Sequence, residues 1–358
     1  MGKVTLQTIA DRVGVSRTTV SNAFSRPDQL SEDLRDRIRA VANELGYGGP
    51  DPLARSLRSG RAGVIGILVT HTLGQALREP YPGAFLGGVA DVIGDADTGL
   101  LLLPLPAGDT ECRAVRNAAV DGFIASSLPD GHPALEVVRG RGLPLVTVDS
   151  PQLDGVPFVA ADDRLAGLQL GQRVFGLGHR DVLVLTFALA GNDQAEITDA
   201  DVEQGTYRVA RERARGLLAA AAAAGVPQDQ LVLRDASLTQ PETARDIVKS
   251  ALTSSRPPTA IVCLADQVAL EVLDTARELG LSVPKDVSIT GYDDIPAARV
   301  AQLTTVRQPT ADKGRHALRL LREADSDTQA VTIPHELVER QTLGPAPSTK
   351  TGDSTKGR

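Results

Sequence analysis

Residues 5–25 read TLQTIADRVGVSRTTVSNAFS, and this stretch decides the architecture of the first part of the chain. Its first half has apolar residues at i, i+3, i+4 and i+7, the spacing that gives a helix one apolar stripe. The stripe consists of Leu6, Ile9, Ala10 and Val13. Gly14 can adopt the left-handed turn that other residues resist, and Ser16 is a favourable N-cap. The stretch therefore predicts two short helices joined by a tight turn.

The second of these helices has two contrasting faces. One face is apolar and carries Val20, Ala23 and Phe24. The other face has short donors and acceptors where a solvated helix would usually have Glu and Lys: Arg17, Thr18, Thr19, Ser21 and Asn22. A helix-turn-helix presents such a second helix to the DNA major groove, so we expect sequence-specific DNA binding. A small three-helix bundle with polar outer residues is the alternative interpretation of this segment alone.

A third helix and a linker follow. Ser31 is a favourable N-cap, and an apolar stripe ends with Leu45 before Gly46 stops the helix. The next residues, GGPDPLARSLRSGRAG, contain the glycines and prolines that are typical of a linker. Within it, residues 53–58 could form about one and a half helical turns, which is too short to be stable alone. We expect this helix to order only against DNA and a second subunit.

At this point the chain resembles the LacI/GalR family of bacterial regulators, which includes the lactose and galactose repressors. In the N-terminal part the resemblance rests on Val4-Thr5-Leu6, Ile9-Ala10, Gly14-Val15-Ser16, Thr19-Val20-Ser21, Glu44-Leu45-Gly46-Tyr47 and Ala54-Arg55-Ser56-Leu57. It continues through Val120-Asp121-Gly122, Leu143-Pro144-Leu145-Val146, Gly178-His179-Arg180, Gly291-Tyr292-Asp293-Asp294 and Leu303-Thr304-Thr305-Val306. The chain departs from the family by one residue inserted in the linker and by Asn22, where many relatives carry Arg.

The resemblance implies a homodimer that binds double-stranded, pseudo-palindromic operator DNA. Since Arg pairs with guanine and Asn with adenine, we expect base edges to be read by Arg17, Thr18 and Asn22. We expect phosphates to be held by hydroxyl groups, those of Thr5, Ser16, Thr19 and Ser21. In the linker, the resemblance implies a hinge helix in the minor groove whose apolar side chain wedges between base steps. The hinge residues are Ala54, Leu57 and Arg58.

From Ala62 onward, apolar runs alternate with helical stretches, the pattern of parallel sheets covered by helices. The first set predicts a helix over 84–93 and strands over 64–69, 100–103, 122–125 and 145–148. The second set predicts helices around 209–224 and 243–252 and strands over 182–185, 230–233, 260–264 and 287–290. The fold class is therefore α/β, with two similar parallel-sheet halves. The resemblance identifies them as the lobes of a periplasmic-binding-protein-like core.

The expected organisation has four parts. A helix-turn-helix domain covers residues 1–47, and the linker with its hinge helix covers 48–61. The effector-binding and dimerisation core covers 62–345, and the polar tail, 346–358, is expected to be disordered and without a tetramer helix. The resemblance implies that the chain crosses between the lobes near 161, 291 and 325. These crossings give an N-lobe of about 62–160 and 292–324 and a C-lobe of about 161–291 and 325–345.

Ligands of such sheets bind at the carboxyl ends of the strands, here in the cleft between the lobes. Asp149, Asp266 and Asp293 follow predicted strands and could accept hydrogen bonds from hydroxyl or ring N–H groups. By resemblance, Arg213 has the position of an effector-binding arginine and Tyr81 that of an aromatic wall. Alternatively, an Asp at a strand end is only a turn or cap, and an Arg on a helix is only solvated. Carboxylates beside an Arg suit vicinal hydroxyls, which favours a sugar or polyol over a nucleobase or another small metabolite.

Other function classes find little support. The chain has no GxSxG, P-loop, HExxH or complete GxGxxG motif, and its five His are isolated. We therefore expect that the protein is not an enzyme. Cys112 and Cys263 are far apart without a CxxC, so neither a disulfide, a zinc site nor any cofactor is indicated. No leader and no apolar run of transmembrane length is present, which predicts a cytoplasmic protein without a membrane partner. A secreted solute-binding receptor shares the bilobed core but would not need residues 1–61.

The net charge of −7 is unevenly distributed. Residues 1–61 hold ten Lys or Arg and seven Asp or Glu, so they carry +3 and the remaining chain carries −10. Attraction to phosphate is therefore confined to the N-terminal part. The sequence predicts a dimeric, allosteric transcriptional repressor that responds to a ligand, or, alternatively, a DNA-binding regulator whose core only dimerises. A ligand that moves the lobes could melt the hinge and release DNA, or a corepressor could do the reverse.

Overall fold

The computed structural model of the chain describes residues 4–49, 60–70, 73–94, 98–106, 108–189, 196–238, 240–323 and 329–347. The chain divides into two compact units between Gly63 and Val64. We refer to the first unit as the head and to the second as the core. Within the described residues, no helix is both long and apolar enough to cross a membrane.

The head is built from three helices, α1 (Leu6–Val13), α2 (Arg17–Ser25) and α3 (Glu32–Glu44). Gly14 ends α1 with a φ of 78°, the expected left-handed conformation, and its N–H donates to the carbonyl oxygen of Ala10. Apolar residues of all three helices form its centre: Ile9, Ala10, Val20, Ala23, Ile38 and Ala42. The predicted helix-turn-helix is therefore confirmed.

The strands described in the core form two six-stranded sheets. The strands are β1 (Val64–Val69), β2 (Gly99–Pro104), β3 (Gly122–Ser126), β4 (Leu145–Val148), β5 (Phe158–Ala161), β6 (Val182–Thr186), β7 (Leu231–Asp235), β8 (Ala260–Cys263), β9 (Ser288–Asp293), β10 (Thr304–Arg307), β11 (Ala330–Ile333) and β12 (Glu336–Val338). The first sheet has the order β11-β5-β4-β3-β1-β2 with parallel pairing throughout. The second has the order β12-β10-β9-β8-β6-β7, and only β12 runs antiparallel to its neighbour. The predicted α/β class with two parallel-dominated sheets is confirmed.

Helices cover both sheets. They are α4 (Leu73–Arg78), α5 (Pro80–Ile93), α6 (Arg113–Asn117), α7 (Pro133–Gly140), α8 (Asp163–Gly176), α9 (Asp199–Gln204), α10 (Arg208–Ala223), α11 (Pro241–Leu252), α12 (Asp266–Glu278), α13 (Pro296–Val300) and α14 (Thr310–Arg322). On the first sheet, Phe85 of α5 and Leu318 of α14 share one hydrophobic cluster with Ile65 and Val146 of the strands. Burial of such side chains stabilises each pairing of helix and sheet by about 2 kcal/mol per large apolar residue.

The lobes divide the last third of the chain differently from the expectation. β9 and β10 pair in parallel within the second sheet, so residues 288–307 all belong to the second lobe. The crossing expected near 291 therefore falls after β10, at the segment that leads into α14. Since β11 lies in the first sheet and β12 in the second, the crossing expected near 325 falls between these two strands. Apolar runs in the sequence reveal strands but not the partner of each strand, which accounts for the difference.

The start of the tail is also ordered, contrary to the expectation for residues from 346 onward. The Ala346 N–H donates to the Leu177 carbonyl oxygen at 2.9 Å. Just before it, the Gly344 carbonyl oxygen accepts from Nε2 of the buried His179, also at 2.9 Å. These contacts attach the chain to the second lobe through residue 346. Residues 348–358 lie outside the described part of the chain.

Candidate functional site

The outer face of α2 carries the residues predicted to read bases. Arg17 and Thr18 are exposed, and Asn22 is half-buried on the following turn. Val20 and Ala23 are fully buried in the head, so they fix which side of α2 faces outward. Arg17, Thr18 and Asn22 therefore lie on the side of the helix that a helix-turn-helix presents to the groove.

The predicted phosphate contacts lie mainly at helix starts. Ser16 is the N-cap of α2, where its Oγ accepts from the Thr19 N–H at 3.0 Å and lies 2.8 Å from Thr19 Oγ1. Thr5 is the N-cap of α1 and forms a capping box with Thr8. Ser21 is half-buried in the middle of α2. A helix N-terminus carries partial positive charge and favours an anion, so the positions of Thr5 and Ser16 suit a phosphate.

The predicted hinge residues cannot be placed in the same way. Ala54, Leu57 and Arg58 lie outside the residues that the structure describes, which resume at Gly60. Their role in the minor groove remains a prediction.

A cavity of about 390 Å³ lies in the core, at the carboxyl ends of strands from both sheets. Residues that follow β1, β3 and β4 line it from the first lobe, and residues that follow β6, β7 and β9 line it from the second. Four of the five predicted effector-binding residues are among them: Tyr81, Asp149, Arg213 and Asp293. Apolar walls are supplied by Ile67, Phe85, Leu86, Phe187, Val209 and Leu238. The volume and the mixed lining suit one small molecule.

The backbone is strained where strands enter this cavity. Ser127, Asp149, Ala188 and Asp293 have φ angles of 54°, 63°, 53° and 118°, and all four line the cavity. A residue other than glycine rarely adopts such angles, and each costs about 1 to 3 kcal/mol. Strain of this kind concentrates at ligand sites, where it directs side chains toward the ligand.

Arg213 reaches the cavity because α8 and α10 pack very closely. A Cβ on Gly167 would collide with the Arg213 carbonyl oxygen, and a Cβ on Gly216 would collide with the Arg164 carbonyl oxygen. Two glycines therefore permit the backbones to touch. The contact places Asp163, the first residue of α8, beside the guanidinium of Arg213.

The guanidinium of Arg213 is held on several sides and the residue is only 4% exposed. Its Nε donates to Asp163 Oδ1 at 2.9 Å, and its Nη1 donates to the Leu264 carbonyl oxygen at 2.8 Å. Its central carbon lies 3.7 Å from the ring centre of Tyr292, and the Tyr292 hydroxyl donates to Asp163 at 3.0 Å. Asp293 Oδ1 lies 3.7 Å from Nη1. These contacts fix the cation against one wall of the cavity.

A chain of buried polar contacts links the two lobes behind the cavity. Asp149 of the first lobe accepts from the Tyr81 hydroxyl and, at 2.5 Å, from Lys313 Nζ. Lys313 Nζ also donates to Gln308 Oε1. Gln308 Nε2 in turn donates to Asp293 Oδ1 of the second lobe at 2.5 Å. Asp149 and Asp293, two of the carboxylates that line the cavity, are therefore connected through one ammonium and one amide.

Burial sets the protonation of these groups. It raises the pKa of Asp293 to about 7, although the Arg213 charge opposes the shift. Burial and the neighbouring Asp149 raise the pKa of Tyr81 well above its usual value, so its hydroxyl stays a donor. Burial alone would lower the pKa of Arg213, but Asp163 and other neighbours outweigh it and raise that pKa. At neutral pH, Arg213 is thus charged while Asp293 titrates.

Asp266 does not join the cavity. Its Oδ2 accepts from the Ile295 N–H at 2.9 Å, and its Oδ1 accepts from the Thr305 hydroxyl at 2.6 Å. The side chain is fully buried, and burial raises its pKa to about 6. Its neighbours Ala265 and Gln267 line the cavity instead. The structure therefore gives Asp266 a role inside the second lobe, connecting the segment before α13 to β10.

Three residues of the site were not predicted from the sequence: Lys313, Gln308 and Asp163. For Lys313 a signal exists, because it lies on the buried face of α14 with Ala317 and Leu318. A lysine on an apolar stripe needs a buried partner. Gln308 and Asp163 lie at junctions between elements, where polar residues are common, so nothing in the sequence distinguishes them.

Comparisons with known proteins agree with this architecture. Residues 5–49 match the family of bacterial regulatory proteins, lacI family, and residues 172–343 match the periplasmic binding protein-like domain. An HTH-type transcriptional regulator from Mycobacterium tuberculosis is 40% identical over 350 residues, which cover 96% of this chain and 98% of the relative. These matches include both the head and the core.

Solved structures extend the likeness. A LacI-family regulator from Corynebacterium glutamicum is 32% identical with a TM-score of 0.72, over 97% of this chain and 100% of that one. The lac repressor dimer bound to operator and the anti-inducer ONPF has a TM-score of 0.78 and 21% identity, over 96% and 100% of the two chains. At this identity, the similarity to the lac repressor shows that the two chains share a fold. The chain therefore belongs to the LacI family and is a DNA-binding transcriptional regulator with a ligand-binding core.

Proposed function

We propose that the protein is a homodimeric repressor of the cytoplasm whose affinity for operator DNA is set by a sugar or polyol in the cavity. The observation that carries this proposal is the convergence of Asp149, Asp293 and Arg213, from two lobes, on one cavity of the core. The head supplies the DNA-reading face and the core supplies the sensor. The protein is expected to have no catalytic role.

The chemistry of the cavity favours hydroxyl groups. Carboxylates of Asp149 and Asp293 accept hydrogen bonds, and the Arg213 guanidinium donates them, which together match vicinal hydroxyls. Tyr81 and Phe85 add aromatic surface for the apolar face of a sugar ring. A nucleobase could stack on the same rings, and it remains the alternative ligand.

Recognition of DNA is assigned to α2 and to the hinge. We propose that Arg17, Thr18 and Asn22 read base edges in each half of a pseudo-palindrome, while Thr5, Ser16, Thr19 and Ser21 hold phosphates. The hinge over residues 53–58 would insert Leu57 into the minor groove and bend the duplex. Leu57→Ser should therefore reduce operator bending in a circular-permutation gel assay, and unchanged bending would exclude the wedge.

Binding-site selection from random DNA with the full chain tests the first half of the proposal. The expected product is a palindrome with two half-sites, and failure to enrich any sequence would contradict sequence-specific recognition. A thermal-shift screen with sugars, polyols and purines then tests the cavity. Compounds that raise the Tm are added to the complex with the selected operator.

A sugar or polyol should change operator affinity, downward for an inducer or upward for a corepressor. A purine that alone has this effect would favour the nucleobase alternative. Ligands that bind without any effect on DNA, or no ligand at all, would favour a core that only dimerises. Arg315→Gln serves as the control variant in these measurements of ligand binding and operator affinity. Arg315 pairs with Asp91 and Asp312 on the surface and does not line the cavity.

A further inference from the structure

The two lobes of the core also touch each other outside the three segments in which the chain crosses between them. Thr206, Arg208 and Arg211 belong to the second lobe, just before α10 or in its first turn. In the first lobe, Asp130 lies between β3 and α7, and Ser150 lies between β4 and β5. Contacts among these five residues therefore form an additional connection between the lobes.

Two backbone N–H groups donate from one lobe to the other. The Asp130 N–H donates to the Thr206 carbonyl oxygen at 2.9 Å. In the opposite direction, the Arg208 N–H donates to Ser150 Oγ at 3.4 Å. Separation of the lobes would replace both hydrogen bonds with bonds to water. Both amides therefore report on whether the lobes are together.

Two arginine side chains of α10 strengthen this connection. Nη1 of Arg211 donates to Asp130 Oδ2 at 2.9 Å. The guanidinium carbon of Arg208 lies 5.0 Å from the ring centre of Phe158 in β5, and its Nη1 donates to the Asp149 carbonyl oxygen at 3.5 Å. Each arginine thus extends from the second lobe to a group of the first lobe. These contacts stabilise the core only while the lobes are together.

Tyr207 links this connection to the cavity. It lines the cavity, and its two neighbours in the sequence, Thr206 and Arg208, are the residues that bond to the first lobe through their backbones. Asp130 and Arg211 do not line the cavity. A molecule that packs on Tyr207 therefore contacts the segment that joins the lobes, whereas it does not contact the ion pair itself.

We propose that Thr206, Arg208 and Arg211 form a latch that holds the second lobe to the first, and that opening of this latch controls the release of a ligand from the cavity. The inference rests on the proposed function, because it concerns the regulation of the same cavity. A molecule held by residues of both lobes leaves when the lobes separate, so the strength of the latch sets how long it stays.

Hydrogen exchange of the full chain without added ligand, followed by mass spectrometry, tests the latch. Arg211→Gln removes the ion pair from the second lobe, and exchange is then read in the first lobe, at the Asp130 N–H. Asp130→Asn removes it from the first lobe, and exchange is read in the second, at the Arg208 N–H. Each amide should exchange about fivefold faster than in the wild type, the upper range for a partly exposed ion pair. Unchanged exchange at either amide would overturn the proposal.

Arg215→Gln is the matched control. Arg215 lies on the same helix, and both its partners, Glu203 and Glu212, belong to the second lobe. Exchange at both amides should equal that of the wild type, and faster exchange would mean that loss of any ion pair loosens α10. The double variant Asp130→Asn with Arg211→Gln should exchange at the Arg208 N–H no faster than Asp130→Asn alone, because both changes remove one contact. A multiplied effect would contradict the latch.

Release from the cavity is measured with the compound that raises the Tm most in the thermal-shift screen. In surface plasmon resonance with immobilised protein, this compound should dissociate about fivefold faster from Arg211→Gln than from the wild type or Arg215→Gln. Equal dissociation rates would overturn the control of release. Faster dissociation of a compound that leaves operator affinity unchanged would support the latch and refute only the ligand control of DNA binding.

Discussion

The head and the core arrange their polar groups in opposite ways. In the head, Arg17, Thr18 and Asn22 lie within six residues on one helix, and the first two are exposed to solvent. In the core, Asp149 and Arg213 come from distant parts of the chain, are almost fully buried, and are each paired with a side chain of opposite charge. The head is thus a surface that DNA can contact directly. In the core, the polar side chains around the cavity form hydrogen bonds and ion pairs with one another. A ligand must join or replace these contacts.

This difference predicts that single changes at the buried core residues affect folding and binding together, whereas changes at Arg17 and Asn22 on the outer face of α2 affect DNA binding alone. The largest effect is expected for Arg213→Ala. It leaves Asp163 buried without its main partner, which should lower the free energy of unfolding by about 3 to 5 kcal/mol and abolish effector binding. Urea unfolding and ligand titration measure the two losses.

Arg213→Ala should also retain a folded head, because the head is a compact unit with its own hydrophobic centre. Specific operator binding by the folded fraction should persist without a response to ligand. Unaltered ligand affinity in this variant would show that Arg213 does not bind the ligand. It would also weaken the contrast between the buried polar groups of the core and the exposed ones of the head.

The next largest effect concerns Asp293 and pH. Its pKa is raised from an unfolded value near 3.8 to about 7. The folded state therefore holds a proton between these values that the unfolded state has lost. The stabilising effect of that proton is complete at low pH and disappears as the pH rises through 7.

Asp293→Asn should remove this dependence. At pH 8, the free energy of unfolding of the variant should exceed that of the wild type by up to about 4 kcal/mol. This difference should disappear as the pH falls toward 4. Since an ionised Asp293 is the better acceptor, wild-type affinity for the effector should rise between pH 6 and 8. Equal pH profiles for the two proteins would contradict the assignment.

The head and the core also differ in how far their structure could be predicted from the sequence. In the head, helical periodicity, Gly14 and the N-cap Ser16 are local signals, so the elements and the outward face could be predicted. In the core, the strands before Asp149 and Asp293 could be predicted because apolar runs mark them. The partnership of Asp149 with Lys313 spans 164 residues, and no local pattern encodes such a contact.

The same reasoning explains the errors. Asp266 resembles the other strand-end carboxylates in sequence, yet it accepts hydrogen bonds from the Thr305 hydroxyl and the Ile295 N–H inside the lobe. The lobe assignment of β10 depended on its pairing with β9, which the sequence does not reveal. Contacts between residues that are distant in sequence determine both the environment of Asp266 and the lobe to which β10 belongs.

A smaller effect is expected for the base-reading residues. Arg17→Ala and Asn22→Ala should each weaken binding to the selected operator by about 1 to 3 kcal/mol. Binding to random DNA should change little, and urea unfolding should be unaltered because these side chains pack little apolar surface. Equal losses on operator and random DNA in fluorescence anisotropy would exclude direct base reading.

The smallest effect is expected at Ser16, which both caps α2 and is assigned to a phosphate. Ser16→Ala should cost about 1 kcal/mol of stability, whereas Ser16→Gly should cost only a few tenths because glycine also tolerates the N-cap position. Both variants lack the hydroxyl. Weaker binding by Ser16→Gly to operator and random DNA alike therefore reports the phosphate contact, and unchanged binding would leave Ser16 as a cap only.

The central claim, that a ligand in the core controls DNA binding by the head, is tested most directly by operator affinity with and without ligand. Fluorescence anisotropy on the selected operator is measured with the neutral sugar or polyol that raises the Tm most, for the wild type and for Asp293→Asn. We expect at least about a tenfold change in the operator Kd of the wild type and almost none in the variant. Identical operator affinity of the wild type with and without a saturating ligand would contradict the claim.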